Sequence, residues 1–257
     1  MTAPLLAPDE PDPVTFTNEN GRSAFFLTCD HGGRAFPRRL GRLGLAERDT
    51  FRHIAWDIGI AEVGRRLSAA LDAALTIQTY SRLVIDCNRD PGVPSSIPEI
   101  SEDTEIPGNR NLDEADRLAR RDVIFRPYHD RIAAALDRRH DGGRPTALIA
   151  LHSFTPVFHS VSRPWHVGVL FNRDARLARS LLDLLRAEGD LVVGENEPYR
   201  VTDLTDYTVP VHAERRGLPY AEIEIRQDLV IDPEGQSSWA ERLARLLPAA
   251  YAALARQ

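Results

Sequence analysis

The sequence predicts one α/β domain, in which a β-sheet is layered with helices. Short apolar segments alternate with amphipathic segments along the 257 residues, and this alternation is typical of the class. The sequence contains no internal repeat and no Pro/Gly-rich linker that would separate two cores. We therefore expect a flexible N-terminal arm over residues 1–20 and a single domain over residues 21–257.

The predicted strands are short apolar runs, whereas the predicted helices repeat their apolar positions every three or four residues. Strands are expected over residues 23–30, 75–80, 83–87, 146–151, 166–171, 191–193 and 220–225. Helices are expected over residues 52–75, 113–139, 175–188 and 239–254, with an interruption of the second near Pro127. Residues 90–111 combine Pro, Gly and acidic residues without periodicity, which predicts a long loop.

Composition excludes several classes of protein. No apolar run approaches the roughly 18–20 residues of a membrane span. Residues 1–12 are acidic and Pro-rich, unlike a signal peptide, so we expect a cytoplasmic protein. The net charge of −6 argues against nonspecific nucleic-acid binding. All 32 basic residues are Arg, which excludes a Lys Schiff base and a P-loop Lys. Cys29 and Cys87 lie in apolar segments and are expected to be buried free thiols.

Two histidines follow predicted strands and are candidate metal ligands. Ligands of α/β sheets bind beyond the carboxyl ends of the strands, so His31 and His152 could meet there. Either could also be an ordinary polar residue at a strand end. The acidic ligand is open between Asp57 and Asp30. His53 and Asp57 are four residues apart on a predicted helix, where they could instead form a charge interaction near the helix N-terminus.

A dense polar cluster occupies residues 81–90. Arg82 is separated from Asp86 by three apolar residues, and Asn88 and Arg89 follow directly. A guanidinium group binds a carboxylate with two hydrogen bonds, so this cluster could hold an anionic substrate. Asp86 could orient an arginine or a metal-binding histidine. A purely structural Arg–Asp network at the end of a sheet explains the same residues equally well.

Two glutamates lie in the last predicted strand. Glu222 and Glu224 share one face of the strand because side chains alternate along it. A buried carboxylate is costly unless it has a partner. Glu224 could be a general base that activates metal-bound water. Alternatively, Arg226 and Asp228 could pair with the glutamates without any catalytic role.

Seven short blocks carry most of these polar side chains. They cover residues 27–37, 53–59, 81–89, 151–156, 163–166, 196–199 and 217–229. In this order they resemble the N-formylglutamate amidohydrolase family, and most closely its branch of predicted N-formylglutamate amidohydrolases. The resemblance runs from about residue 24 to about residue 245. The blocks at 163–166 and 196–199 contain Pro, and they either line a pocket or form rigid turns.

This resemblance implies a three-layer α/β/α fold with a central mixed, mostly parallel sheet, similar to zinc carboxypeptidases. It implies metal-dependent hydrolysis of the amide bond of a small anionic N-acyl amino acid, such as N-formylglutamate. One Zn²⁺ per chain is expected on His31, Asp57 and His152. His31 is followed three residues later by Arg34, where zinc carboxypeptidases have Glu, so the acidic ligand must come from elsewhere.

The resemblance also implies roles for the other candidates. Glu224 is expected to be the catalytic base, and Asn88 and Arg89, together with Arg82, are expected to hold the substrate carboxylate. No nucleic acid or membrane partner is expected. Two alternatives stay open: a non-catalytic relative that binds metal or an amino acid, and a deacylase or peptidase for a larger substrate, whose pocket the loop at 90–111 could shape.

Overall fold

A seven-stranded sheet forms the centre of the computed structural model, which describes residues 4–255. Its strands are, in sequence order, β1 (Val14–Thr17), β2 (Phe25–Cys29), β3 (Ala74–Gln78), β6 (Ala147–Phe154), β9 (Val167–Leu170), β10 (Val193–Glu195) and β11 (Tyr220–Arg226). Two small hairpins stand outside this sheet: β4 (Ile100–Ser101) with β5 (Thr104–Glu105), and β7 (Val157–Phe158) with β8 (Val161–Ser162).

The sheet is mixed and mostly parallel, as the sequence predicts. The strand order is β1-β3-β2-β6-β11-β9-β10. The four central strands β3, β2, β6 and β11 run parallel to one another, whereas β1 is antiparallel to β3 and β9 is antiparallel to β11. Their carboxyl ends therefore meet at one edge of the sheet, and this edge is where ligands of such sheets bind.

Helices cover both faces of the sheet and complete three layers. The helices α1 (Ile60–Leu71), α4 (Arg176–Ala187) and α5 (Pro233–Leu254) pack on one face. The other face is covered by α2 (Glu114–Arg120), a π-helical turn (Arg121–Phe125) and α3 (Arg126–Asp141), and by a second π-helical turn (Val209–Ala213). Among the described residues, none of the helices has the length and apolar character needed to cross a membrane.

Periodicity and capping explain these helices. In α4, Leu177, Leu181 and Leu185 recur on one face and are buried, which is the spacing of an amphipathic helix. The side chain of Asp232 caps α5 by accepting a hydrogen bond of 2.8 Å from the Gly235 N–H. In β6 all eight residues are buried, as expected for a central parallel strand with helices on both sides.

The helix predicted over residues 52–75 is wrong in its first part. The helix α1 begins only at Ile60, after Gly59, whose φ of +79° is left-handed. The backbone before it forms short turns and bonds to neighbouring loops: the Asp57 N–H donates to the His31 carbonyl at 2.9 Å, and the Arg82 N–H donates to the Ala55 carbonyl at 3.2 Å. His53 and Asp57 therefore do not share a helical face.

Three further expectations need correction. Residues 83–87 are buried but form turns instead of a strand; the Asp86 N–H, for example, donates to the Ser96 carbonyl at 2.7 Å. Within the predicted flexible arm, Val14–Thr17 forms the edge strand β1, paired with β3, while residues 1–3 lie outside the described part of the chain. The strand predicted to end at residue 151 continues through His152 to Phe154.

Gly59 lies between the loop that carries Asp57 and helix α1, and its replacement tests how much close packing at this position contributes to stability. A Cβ atom at Gly59 would lie 2.0 Å from the Val230 carbonyl oxygen, in addition to the strain of its left-handed backbone. We expect Gly59→Ala to lower the free energy of unfolding by about 2–4 kcal/mol, measured by urea denaturation. Gly217, with φ of +65° and open space around its Cα, is the control. Gly217→Ala should cost only about 1–2 kcal/mol, and equal losses would contradict the steric account.

Candidate active site

Polar residues from three neighbouring strands converge at the carboxyl edge of the sheet. His31 lies two residues after the end of β2, His152 lies near the end of β6, and Glu224 lies near the end of β11. In the parallel register Glu224 is directly beside His152, so both side chains point to the same face. All three line a cavity of about 440 Å³. The convergence predicted from the strand ends is therefore present.

His31, Asp57 and His152 form a compact buried triad. Asp57 Oδ2 lies 3.6 Å from His31 Nδ1 and 3.0 Å from His152 Nδ1. Ligand atoms about 2.0–2.1 Å from one tetrahedral zinc ion lie about 3.3 Å apart, close to these two separations. His31 Nδ1 has no hydrogen-bond partner within the described chain, as expected of an atom that faces a missing cation. The triad therefore fits a metal ion.

A second carboxylate stands behind each imidazole. Asp86 Oδ1 lies 2.7 Å from His31 Nε2, and Asp30 Oδ2 lies 3.5 Å from His152 Nε2. A carboxylate only accepts hydrogen bonds, so His31 carries a proton on Nε2, which leaves its Nδ1 for a metal. In His152, Nδ1 is hydrogen-bonded to Asp57 and Nε2 is the nitrogen that faces Asp30. Of the two acidic candidates, Asp57 lies in the triad, whereas Asp30 lies behind His152.

The site holds an excess of buried negative charge. Five carboxyl groups with at most 6% exposure surround it: Asp30, Asp57, Asp86, Glu222 and Glu224. Buried carboxylates without partners are costly, and such groups are paired or bound to metals. Burial by itself lowers the pKa of His152, but its contacts with Asp30 and Asp57 raise that pKa well above the usual value. Without a metal, a proton on His152 thus offsets part of the charge that a cation would neutralise.

Glu224 has the electrostatics of a group that can exchange a proton near neutral pH. Burial, reinforced by Asp57, raises its pKa to about 7, although His152, His31 and Arg82 pull it down. Its Oε2 atom has no hydrogen-bond partner in the described residues. A general base works best when its pKa is near the working pH.

Glu222 lies two residues before Glu224, on the same face of β11. Burial and the nearby Asp206 raise its pKa well above the usual value. The alternative pairing of the glutamates with Arg226 is not found. Arg226 instead bonds to Asp228, at 2.8 and 3.2 Å. Neither Glu222 nor Glu224 is therefore neutralised by a neighbouring arginine of its own strand.

Arg82 and Asp86 form a structural Arg–Asp network, which is one of the two interpretations of this cluster that the sequence allows. Arg82 donates two hydrogen bonds to Asp86 Oδ2, at 3.2 and 2.7 Å, and its Nη1 lies 3.5 Å from Asp57 Oδ1. Burial raises the pKa of Asp86, but Arg82 and His31 outweigh burial and hold it well below the usual value. Asp86 therefore remains ionised behind His31. Arg82 also lines the cavity.

Asn88 and Arg89 face the segment 202–208. The Asn88 side chain accepts hydrogen bonds from the N–H groups of Tyr207 and Thr208, at 2.9 and 3.0 Å, and donates to Asp206 at 3.2 Å. Its polar atoms are therefore already used. Arg89 donates through Nη1 to backbone carbonyl oxygens, whereas its Nη2 makes no hydrogen bond with the described residues. Both residues line the cavity, and Arg89 has more uncommitted donors than Asn88.

Several predicted residues lie around the cavity without joining the triad. His53 is 3.4 Å from Glu102 and lines the cavity wall. The two Pro-containing blocks meet there: Arg163 donates a hydrogen bond of 2.8 Å to the hydroxyl of Tyr199, a cavity-lining residue. The block at 196–199 therefore contributes Tyr199 to the pocket, whereas the block at 163–166 supports Tyr199 without lining the cavity. Cys29 and Cys87 are buried free thiols, as predicted.

Comparison with known proteins identifies the family. A family model described as N-formylglutamate amidohydrolase matches residues 23–231. The chain belongs to this family. The resemblance of the seven sequence blocks is thereby confirmed, and membership supports hydrolysis of an amide bond. The comparison with curated proteins gives no significant match.

Solved structures show that the same fold extends over nearly the whole chain. A gene product of Agrobacterium tumefaciens is 38% identical, with a TM-score of 0.93, and the match covers 97% of this chain and 99% of that one. The N-formylglutamate amidohydrolase from Ralstonia eutropha is 18% identical, with a TM-score of 0.67 and coverage of 94% and 98%. At this lower identity the likeness shows a shared fold.

The raised pKa of Glu224 predicts how the stability of the metal-free protein depends on pH. A carboxyl group whose pKa is raised on folding, here from its ordinary value of 4.5 to about 7, binds protons more tightly in the folded state. Its stabilising effect is complete below the unfolded-state pKa and is lost as the pH rises towards 7. In chelator-treated protein, Glu224→Gln should gain roughly 2–3 kcal/mol relative to wild type between pH 5 and pH 8.

The measurement is urea unfolding of both proteins at the two pH values. Glu241→Gln, which removes an exposed carboxylate of α5, serves as the control for the loss of one charge. A difference between Glu224→Gln and wild type that is the same at both pH values would show that Glu224 ionises normally in the folded protein.

Proposed function

We propose that this protein is a zinc-dependent amidohydrolase that cleaves the amide bond of a small anionic N-acyl amino acid, such as N-formylglutamate. The observation that carries the proposal is the buried triad of His31, Asp57 and His152 with Glu224 beside it in one cavity. Membership of the family supports the amide hydrolysis. The triad supports a metal site, and the choice of zinc and of a formyl group is our proposal.

The three triad side chains are the proposed zinc ligands, through His31 Nδ1, Asp57 Oδ2 and His152 Nδ1. Three protein ligands leave a fourth position open, which is the arrangement of catalytic zinc sites. When bound, zinc lowers the pKa of coordinated water and polarises the carbonyl group of the substrate. Asp86 and Asp30 hold the outer nitrogens of the two imidazoles, which keeps both rings oriented.

Glu224 is the proposed general base. Its carboxylate accepts a proton from the attacking water and then delivers that proton to the nitrogen atom of the leaving amine. A raised pKa suits both halves of this transfer, because the group must release the proton as readily as it takes it. Glu222 is the less suitable candidate, because burial and the nearby Asp206 raise its pKa well above the usual value, which favours its protonated form.

Arg89 is the proposed anchor of the substrate carboxylate, since its Nη2 is free while Nη1 holds the backbone of the facing segment. Two hydrogen bonds from a guanidinium would fix a carboxylate in the cavity. Arg82 adds positive charge from its place between Asp57 and Asp86. Asn88 contributes indirectly, by holding residues 206–208 beside Arg89.

A hydrolase for a larger acyl or peptide substrate is the second candidate. The cavity of about 440 Å³ and the aromatic side chains of Phe154, Phe158 and Tyr199 in its wall favour it. Hydrolysis of N-formyl, N-acetyl and longer N-acyl glutamates, measured side by side, distinguishes the two. A zinc-bound protein that hydrolyses none of them would instead be a non-catalytic relative.

Metal content tests the triad directly. We expect about one zinc per chain in untagged wild-type protein and a loss of most of it in His152→Ala, because one of three ligands and its carboxylate contact disappear. Elemental analysis of the purified proteins measures both. His140→Ala, at an exposed position of α3, is the matched control and should keep its zinc. A zinc-free wild type, even after a zinc soak, would overturn the proposed mechanism.

Glu224→Gln separates metal binding from proton transfer. The substitution keeps size and hydrogen bonding but removes the proton acceptor, so zinc content should stay near wild type while kcat falls by about 10²–10⁴-fold. Hydrolysis of N-formylglutamate is followed by the amine released. Glu241→Gln on the exposed face of α5 should retain full activity. A Glu224→Gln variant with wild-type kcat would exclude Glu224 as the base.

A further inference from the structure

One turn of α3 lies behind both imidazoles of the triad. The adjacent residues Tyr128 and His129 are buried, with 0% and 5% exposure. They come about 100 residues after His31 and 20 residues before His152, in a helix that carries none of the triad residues. Neither residue lines the cavity, so neither can contact a substrate there. Their polar atoms nevertheless bond to the groups that hold the imidazoles.

Tyr128 fixes the carboxylate behind His152. Its hydroxyl donates a hydrogen bond of 2.6 Å to Asp30 Oδ1, and the other oxygen of Asp30 lies 3.5 Å from His152 Nε2. Burial and the neighbouring Asp30 raise the pKa of Tyr128, so its phenol keeps the proton that it donates. Because one oxygen of Asp30 is held by Tyr128, the other is directed at His152.

His129 fixes the backbone beside the carboxylate that holds His31. Its Nε2 donates a hydrogen bond of 2.8 Å to the carbonyl oxygen of Cys87, the residue that follows Asp86. A carbonyl oxygen only accepts, so the proton of His129 is on Nε2, and its Nδ1 accepts from His212 Nε2 at 2.9 Å. Asp86 in turn lies 2.7 Å from His31 Nε2.

The local helix geometry explains how adjacent residues reach two different loops. The π-helical turn Arg121–Phe125 directly precedes α3, and Pro127 occupies the first turn of the helix. A π-helical turn inserts an extra residue and shifts the following side chains around the helix axis; such turns are frequent at functional sites. Neighbouring positions of an α-helix point about 100° apart, so Tyr128 and His129 approach Asp30 and Cys87 from one helical turn.

We propose that Tyr128 and His129 are positioning residues of the metal site, which hold Asp30 and the Asp86 segment so that both imidazoles present Nδ1 to the metal. This inference rests on the proposed zinc site. Contacts behind metal ligands of this kind typically change metal affinity by about 10–100-fold. The effect of Tyr128 should therefore appear in the zinc affinity itself, before any catalysis is measured.

The test compares two Tyr→Phe variants that each remove a phenol–carboxylate hydrogen bond of equal length. Tyr128 donates to Asp30 at 2.6 Å, and Tyr220 donates to Glu214 at 2.6 Å; both tyrosines are 0% exposed. The Tyr220 hydroxyl also accepts a hydrogen bond of 2.9 Å from the Asn172 N–H, so its replacement is the more severe structural change. Zinc dissociation constants are measured by competition with a chromophoric chelator, and thermal unfolding is measured on the zinc-free proteins. Tyr128→Phe should weaken zinc binding by about 10-fold or more. Tyr220→Phe should lower Tm at least as much and leave the zinc affinity unchanged.

His129 provides the second arm. His129→Gln retains an amide donor for the Cys87 carbonyl, whereas His129→Leu removes it, so zinc binding should be weakened clearly more by Leu than by Gln. If His129→Leu does not fold, the pair of tyrosine variants decides. Equal zinc affinities of Tyr128→Phe and wild type would overturn the inference while leaving the zinc site intact. Failure of wild type to bind zinc would overturn the proposed function and this inference with it.

Discussion

The buried surplus of carboxylates at the edge of the sheet is the constraint that orders the site. Asp30, Asp57 and Asp86 cannot all be ionised in a protein interior without compensating positive charge. The chain supplies this charge in part through Arg82 and through a proton on His152. A divalent cation at the triad, as proposed, would complete the compensation, and the affinity for metal and the ionisation of the carboxylates would then depend on each other.

The topology of the sheet makes this concentration of charge possible. Three parallel strands, β2, β6 and β11, lie side by side at the centre, and their ends deliver His31, His152 and Glu224 to one place. Asp57 joins them from a loop, because the His31 carbonyl captures its N–H and the Ser153 N–H bonds to its carboxylate at 3.2 Å. The sheet thus holds the side chains at the strand ends in place. Asp57, which lies in a loop, is held by its hydrogen bonds to residues at those strand ends.

How well each element can be predicted from the sequence depends on how far apart in the chain the residues that determine it lie. The strands that end near His31 and His152 are apolar runs, so local sequence predicts them, and the strand-end rule then brings the histidines together. The apolar periodicity of residues 54–75 predicted too long a helix, because periodicity cannot reveal that a distant carbonyl binds the Asp57 N–H. Residues 83–87 are as apolar as a strand, but burial alone does not create a pairing partner. Tyr128 gives no local signal, since its role is defined by contacts with residues far away in the chain.

The same charges connect metal binding to the activity of the base. In the metal-free site burial and Asp57 raise the pKa of Glu224 to about 7, which leaves a large fraction of it protonated at neutral pH. Positive charge on the triad favours the ionised form of Glu224, since opposite charges at short range lower the pKa of a carboxyl group. Under the proposed mechanism, Glu224 would therefore be a full proton acceptor only when the triad holds metal, which is also when activated water would be available. This coupling would require no conformational change, because the groups that raise and lower the pKa of Glu224 lie within one buried site.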